Sequence, residues 1–136
     1  MSEDAWVLGV RAAGALHLVT VALAHLTPVP PHWAANLARL PEVHRRFAVA
    51  QNVFIGGVML CAGIVSLLFA RDLIAGTVTA RIICGAIALW WGARLAVLPW
   101  LQVWPELRTP LLRAGFTLLH LECAAFALGY GWLAFS

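Results

Sequence analysis

Apolar residues fill four long stretches of this 136-residue chain, and short segments rich in polar residues or proline separate them. The stretches cover about residues 6–26, 47–70, 80–98 and 110–133. Each has roughly the 20 mostly apolar residues that an α-helix needs to cross a bilayer. Because backbone N–H and C=O groups in lipid must be satisfied within the segment, the pattern predicts four transmembrane helices.

Residues that start and end helices support these limits. Pro28 to Pro31 end the first span, because proline has no N–H to donate. Thr109-Pro110 is an N-cap followed by proline at the first helical position. The segment Trp33 to Arg39 predicts either a short helix in the membrane interface or a loop with a few apolar anchors. Short connections favour an all-α, up-down four-helix bundle that forms a single transmembrane domain over residues 1–136.

Composition excludes a water-facing surface of the usual kind. Hydrophobic residues make up 62% of the chain and charged residues 11%, whereas a soluble domain has about 25% charged residues. All basic residues are arginines, and they lie mainly near the predicted span ends. Arginines there meet lipid headgroups, so the net charge of +3 does not indicate nucleic-acid binding. The four spans also leave no room for a separate soluble catalytic domain.

The distribution of arginines predicts the orientation. The side that carries the first and third loops holds Arg39, Arg45, Arg46, Arg108 and Arg113. The opposite side holds Arg11, Arg71 and Arg81. Because positive charge is retained in the cytoplasm, both termini are expected on the non-cytoplasmic side. Tryptophans near the span ends fit the aromatic belt at headgroup level.

Small residues at helical spacing predict which faces turn inward, since close packing drives helix association in lipid. In the first span the stripe is Ala13, Gly14, His17, Val21 and Ala24. In the second it is Ala48, Asn52, Gly56, Gly63, Ser66 and Ala70. In the third it is Arg81, Gly85, Ala88, Gly92 and Ala96. In the fourth it is Arg113, Thr117, His120, Ala124, Ala127 and Gly131.

Two histidines near the middle of their spans are the sharpest candidates for a cofactor site. His17 and His120 lie at similar depth on small-residue faces, so together they would bind the iron of haem as axial ligands. Asn52 and Thr117 on the neighbouring faces would line the same site. The alternatives are that each histidine only hydrogen-bonds a neighbouring helix, or that it handles another ligand or protons.

Glu122 and Arg94 are charged residues within predicted spans, where charge is costly and often functional. Glu122 lies about 200° around the helix from His120, which implies that the fourth span packs on two sides. Arg94 is a candidate ion-pair or proton-site partner for Glu122. It lies opposite the small-residue stripe of its span, beside Trp90 and Trp91, so snorkelling to the interface is the alternative.

A second polar group lies at the cytoplasmic ends of the first two spans. It consists of His25, His44, Arg45 and Arg46. With Asn52 these residues would frame a mouth that admits a lipid headgroup or a quinone ring. The alternative is a hydrated span-end cluster that only follows the positive-inside rule.

Sequence motifs of soluble enzymes are missing. The chain has no Gly-rich phosphate loop, HExxH, GxSxG or paired-carboxylate pattern of a catalytic site. The three cysteines have no CxxC spacing, so we expect them to be small packing residues.

Two short segments, Trp91-Gly92-Ala93-Arg94-Leu95 and Tyr130-Gly131-Trp132, resemble a group of small four-span bacterial proteins described only as hypothetical membrane proteins. This resemblance implies the four-span fold and a bacterial inner membrane, and no activity. In length and span count the chain is also similar to the membrane glutathione and eicosanoid enzymes. It has no acidic residue between Val43 and Arg71, so their chemistry is not carried over.

Taken together, these patterns predict a small membrane bundle that binds a hydrophobic ligand or cofactor, with haem, quinone and lipid as the candidates. One alternative is a structural or accessory subunit of a larger membrane complex or a homo-oligomer, with Glu122 and the small stripes at subunit contacts. The other is a small membrane enzyme that uses Glu122, Arg94 or His120 as acid–base groups on a lipid or quinone.

Overall fold

A computed structural model describes residues 2–26 and 32–136, and their regular structure is helical throughout. The helices are α1 (Glu3–Leu26), α2 (Trp33–Ala38), α3 (Glu42–Leu68), α4 (Ala70–Ile74), α5 (Val78–Val97) and α6 (Pro110–Phe135). A short 3-10 helix, Trp104–Glu106, lies between α5 and α6. The predicted all-α class is therefore confirmed.

Four of these helices, α1, α3, α5 and α6, are long and apolar enough to cross a membrane, as expected of a multi-pass membrane protein. The prediction is therefore confirmed for the number, length and apolar character of these helices. Of the two alternatives for the segment Trp33 to Arg39, a short helix or a loop, the structure has the short helix α2. The prolines between α1 and α2, Pro28 to Pro31, lie outside the described residues.

Side-chain caps fix the start of two long helices. The Thr77 hydroxyl accepts a hydrogen bond from the Ala80 N–H at the start of α5. The Thr109 hydroxyl accepts one from the Leu112 N–H at the start of α6. Each bond satisfies an N–H that has no partner within the helix. The cap predicted at Thr109-Pro110 is confirmed.

The chain forms two compact units, Met1–Leu68 and Phe69–Ser136. In the first unit α1 packs on α3, and α2 also contacts α3. The two long helices are antiparallel, because Gly14 meets Gly63 and Leu67 while His25, further along α1, meets Gly56. The predicted small-residue contact between the first two spans is confirmed at Gly14 and Gly63.

The second unit is a hairpin of α5 and α6, with α4 packed on α5. A seam of small residues joins the two long helices. Cβ atoms placed on the glycines of this seam would lie 3.8–3.9 Å from alanine Cβ atoms of the other helix. The paired residues are Gly85 with Ala134, Gly131 with Ala88, and Gly92 with Ala127. These pairs run in opposite directions along the chain, so the helices are antiparallel and the predicted stripes do meet here.

Candidate functional site

Arg94 of α5 reaches α6 and forms the centre of a polar cluster inside the second unit. Its guanidinium lies close enough to the sulfur of Cys123 to interact with it. The charges of Arg94 and Glu122 both act electrostatically on that thiol. Arg94 and Glu122 are half-buried, whereas Cys123 is completely buried. The structure therefore gathers a cation, a carboxylate and a thiol within one helical hairpin.

Two N–H donors of this cluster have no acceptor among the described residues. They are Nε of Arg94 and the indole Nε1 of Trp90, one helical turn earlier on α5. Buried donors normally have a partner, and one without a partner costs about 1–3 kcal/mol. A molecule that carries an acceptor oxygen, or an ordered water, would satisfy them.

The face of α5 that carries Arg94 differs from the prediction. We expected the glycine stripe to form the buried face and Arg94 to lie opposite it. The buried residues of α5 are instead Ala80, Cys84, Ile87 and Trp91, and the Trp91 ring packs edge-on against Phe126 of α6 at 5.0 Å. Large side chains thus form a second contact beside the glycine seam, and Arg94 extends from this side to Cys123.

The buried face of α6 lies beside His120 and does not include it. The residues buried there are Phe116, Cys123, Phe126, Tyr130 and Leu133. At 100° per residue this face lies between His120 on one side and Glu122 on the other. Both side chains are half-buried, so neither points straight into the hairpin. Within the hairpin, this largely aromatic face packs beside the small-residue seam.

His120 is held by its own helix. Its Nδ1 lies 2.8 Å from the carbonyl oxygen of Phe116, and its ring packs edge-on against the Phe116 ring at 4.6 Å. Because a carbonyl only accepts, Nδ1 is the protonated nitrogen of the neutral ring, and the lone pair is on Nε2. Thr117, which we predicted beside His120, is exposed, and its hydroxyl donates to the Arg113 carbonyl.

His17 belongs to the first unit and is completely buried. Its Nδ1 lies 2.7 Å from the carbonyl oxygen of Ala13, so this ring has the same neutral tautomer as His120. Its Cβ would be 3.0 Å from a Cβ placed on Gly63. The inward position predicted for His17 is confirmed, and the side chain is tightly packed at the crossing of α1 and α3.

The side chains of the polar group predicted in the first unit point in different directions around α3. Arg46 forms a salt bridge with Glu42 one turn earlier on α3. Arg45 and Asn52 are both exposed and are seven residues apart, which places them on one face of α3. That face continues to Gly56, where the His25 ring of α1 lies close. His44 is exposed and points about 100° away from Arg45.

Sequence reasoning treated Cys123 as a packing residue and did not connect it with Arg94. The register of the hairpin was the missing information, since pairing of Gly92 with Ala127 places Arg94 near this part of α6. Among the described residues, no group of three or more His, Cys, Asp or Glu side chains is arranged to hold a metal ion.

Comparison with known proteins adds no relative. No family model, curated protein or solved structure matches the chain.

Proposed function

We propose that this protein binds an amphipathic ligand of the bilayer through the cluster of Arg94, Glu122 and Cys123, and that the ligand's head carries carbonyl or hydroxyl oxygens, as a quinone does. One observation carries the proposal. A half-buried arginine within an apolar helix reaches a buried thiol on the neighbouring helix, and a half-buried carboxylate acts on the same thiol.

The guanidinium supports this choice of ligand because of its cost in a membrane. Placing arginine within a span costs about 2.5–3.5 kcal/mol on insertion scales, and such residues mark ligand or ion sites more often than packing sites. Arg94 lies in the last turn of α5, where the helix dipole favours a cation. The dipole offsets only part of the cost, and a ligand oxygen bound by the guanidinium would offset more.

The carboxylate of Glu122 complements these donors. A carbonyl oxygen accepts hydrogen bonds from Arg94 or Trp90, while a hydroxyl donates to a carboxylate. A quinone or quinol head carries oxygens of both kinds. Leu118, one turn before Glu122 on the same side of α6, is 64% exposed, and it would contact the apolar tail of such a ligand.

The test is a calorimetric titration of the protein in nanodiscs with a short-chain ubiquinone. Removal of a hydrogen bond to a charged group costs about 1.5–3 kcal/mol, so Arg94→Met weakens binding at least tenfold. Glu122→Gln weakens binding of the quinol more than that of the quinone. Arg81→Gln is the matched control, because Arg81 is at the other end of α5 and bonds the Ser136 carbonyl.

The proposal is refuted if the wild type does not bind ubiquinone, or if Arg94→Met binds it with the same affinity as the wild type. A circular-dichroism melt of each variant establishes that the helices are intact. The loss is then one of binding and not of folding.

Haem is a second candidate, favoured by a separate observation. In both His17 and His120 the Nδ1 proton bonds a carbonyl of the same helix, and histidines that bind metal through Nε2 are usually held in this way. Because His17 is completely buried, ligation by its Nε2 requires local repacking of α1 and α3.

An absorption spectrum of the purified protein tests this candidate. Bound haem gives a Soret band, and loss of that band in His17→Ala or in His120→Ala identifies the histidine that binds the iron. His25→Ala is the control, since His25 makes the same hydrogen bond to a backbone carbonyl and is exposed. A protein that stays colourless after incubation with haem excludes the candidate.

A further inference from the structure

The face of α3 that packs on α1 continues beyond the end of α1 as a polar surface. His25, in the last turn of α1, is level with Gly56, where the imidazole Cε1 would be 3.9 Å from an added Cβ. Asn52 lies one turn further toward the start of α3, and Arg45 two turns beyond that. All three side chains are exposed. We call this set the α3 polar face.

The two neighbouring arginines of α3 differ in their partners. Arg46 is paired with Glu42. The Arg45 side chain makes no hydrogen bond or ion pair with any described residue. It is the arginine on the α3 polar face, about 100° around the helix from Arg46. An arginine near the end of an apolar helix attracts an anion at headgroup level.

The order of these residues follows the polarity of a phospholipid. Arg45 is nearest the start of α3, Asn52 is about 10 Å deeper along the helix axis, and His25 is deeper again. A phosphate beside Arg45 places the ester carbonyls toward the Asn52 amide, which can donate to them. The acyl chains then run along the flank of α3 beside this face, where Val53 is 68% and Leu60 is 41% exposed.

We infer that the α3 polar face of His25, Asn52 and Arg45 binds the headgroup of an anionic phospholipid. This site is in the first unit and is independent of the cluster at Arg94.

Native mass spectrometry of the full chain tests the inference. The protein is reconstituted with equal amounts of phosphatidylglycerol and phosphatidylcholine, extracted into mild detergent, and the lipid retained per chain is counted. Wild type retains phosphatidylglycerol in preference. Arg45→Gln lowers its retention about fivefold, and Asn52→Ala also lowers it. Arg46→Gln, the matched control, retains as much as wild type. An excess of inorganic phosphate does not displace the lipid, since the acyl chains contribute to binding.

Three results would overturn the inference. The first is equal retention of the two lipids by the wild type. The second is an Arg45→Gln variant that retains as much phosphatidylglycerol as wild type. The third is an Arg46→Gln variant that loses as much as Arg45→Gln, which would mean that net charge alone attracts the lipid. Because the changed side chains are exposed, an unchanged melting temperature in detergent is expected for every variant.

Discussion

Gly14 of α1 lies very close to the backbone of α3, and replacement of this glycine by alanine tests the packing of the first unit. A Cβ at this position would lie 2.8 Å from the carbonyl oxygen of Gly63. It would also lie 2.9 Å from both the backbone nitrogen and the Cγ of Leu67. Two of these three atoms are backbone, so rotation of a side chain cannot relieve the overlap.

The distances set the size of the effect. The carbonyl oxygen would be at least 0.6 Å inside the 3.4 Å at which ordinary van der Waals contact begins. The helices must therefore separate, and a gap of about 0.5–1 Å already loses a quarter to a half of the dispersion energy between facing atoms. Overpacking of this kind costs about 1–3 kcal/mol. We expect Gly14→Ala to lower the free energy of unfolding by that amount.

Reversible unfolding in mixed micelles, with increasing SDS, measures this free energy. Gly9→Ala is the matched control on the same helix, because a Cβ at Gly9 meets nothing within 4 Å. Alanine is the better helix former by about 1 kcal/mol in water, so the control is neutral or slightly stabilising. Gly63→Ala should cost less than Gly14→Ala, since its closest contact at 2.9 Å is the end of the flexible Leu18 side chain. If the Gly14→Ala and Gly9→Ala variants unfold at the same SDS fraction, α1 and α3 are not in close contact at Gly14.

Three further predictions concern the second unit and the cysteines. Trp91 is completely buried, so Trp91→Ala should lower the free energy of unfolding by about 3–5 kcal/mol in the same SDS titration; a loss below about 1 kcal/mol would contradict its place in the core. Thr109→Ala removes the cap of α6 and should lower the free energy of unfolding by about 1 kcal/mol. Thr109→Ser keeps a capping hydroxyl and should lower it much less. A membrane-permeable maleimide should label Cys61, which is exposed, and should reach the buried Cys84 and Cys123 only after unfolding in SDS.

Hydropathy predicted the four long helices well, because their length and apolar character are set by the bilayer. The helix that contains the second predicted span begins before that span. The helix begins at Glu42 rather than near Phe47, since backbone hydrogen bonds and the Glu42–Arg46 pair maintain a helix through polar residues. Hydrophobicity indicates which part of a helix is surrounded by lipid, but it does not indicate the residue at which the helix begins.

The candidate site was only partly predictable. The small-residue rule correctly identified the contact of Gly14 with Gly63 and the seam at Gly92. It gave no weight to the large side chains that also pack between α5 and α6, such as Trp91 and Phe126. The proximity of Arg94 and Cys123 depends on the register of the hairpin, and that register is set by packing along the whole length of both helices.

Photolabelling with an azido-quinone in nanodiscs shows directly whether the cluster at Arg94 binds an amphipathic ligand. After irradiation and digestion, mass spectrometry locates the labelled residues. We predict labels near Trp90 to Arg94 on α5 and near Glu122 on α6, with competition by unlabelled quinone and loss of label in Arg94→Met. Labels that are spread evenly over the helices, or labelling that is unchanged in Arg94→Met, would show that the cluster at Arg94 does not bind the quinone.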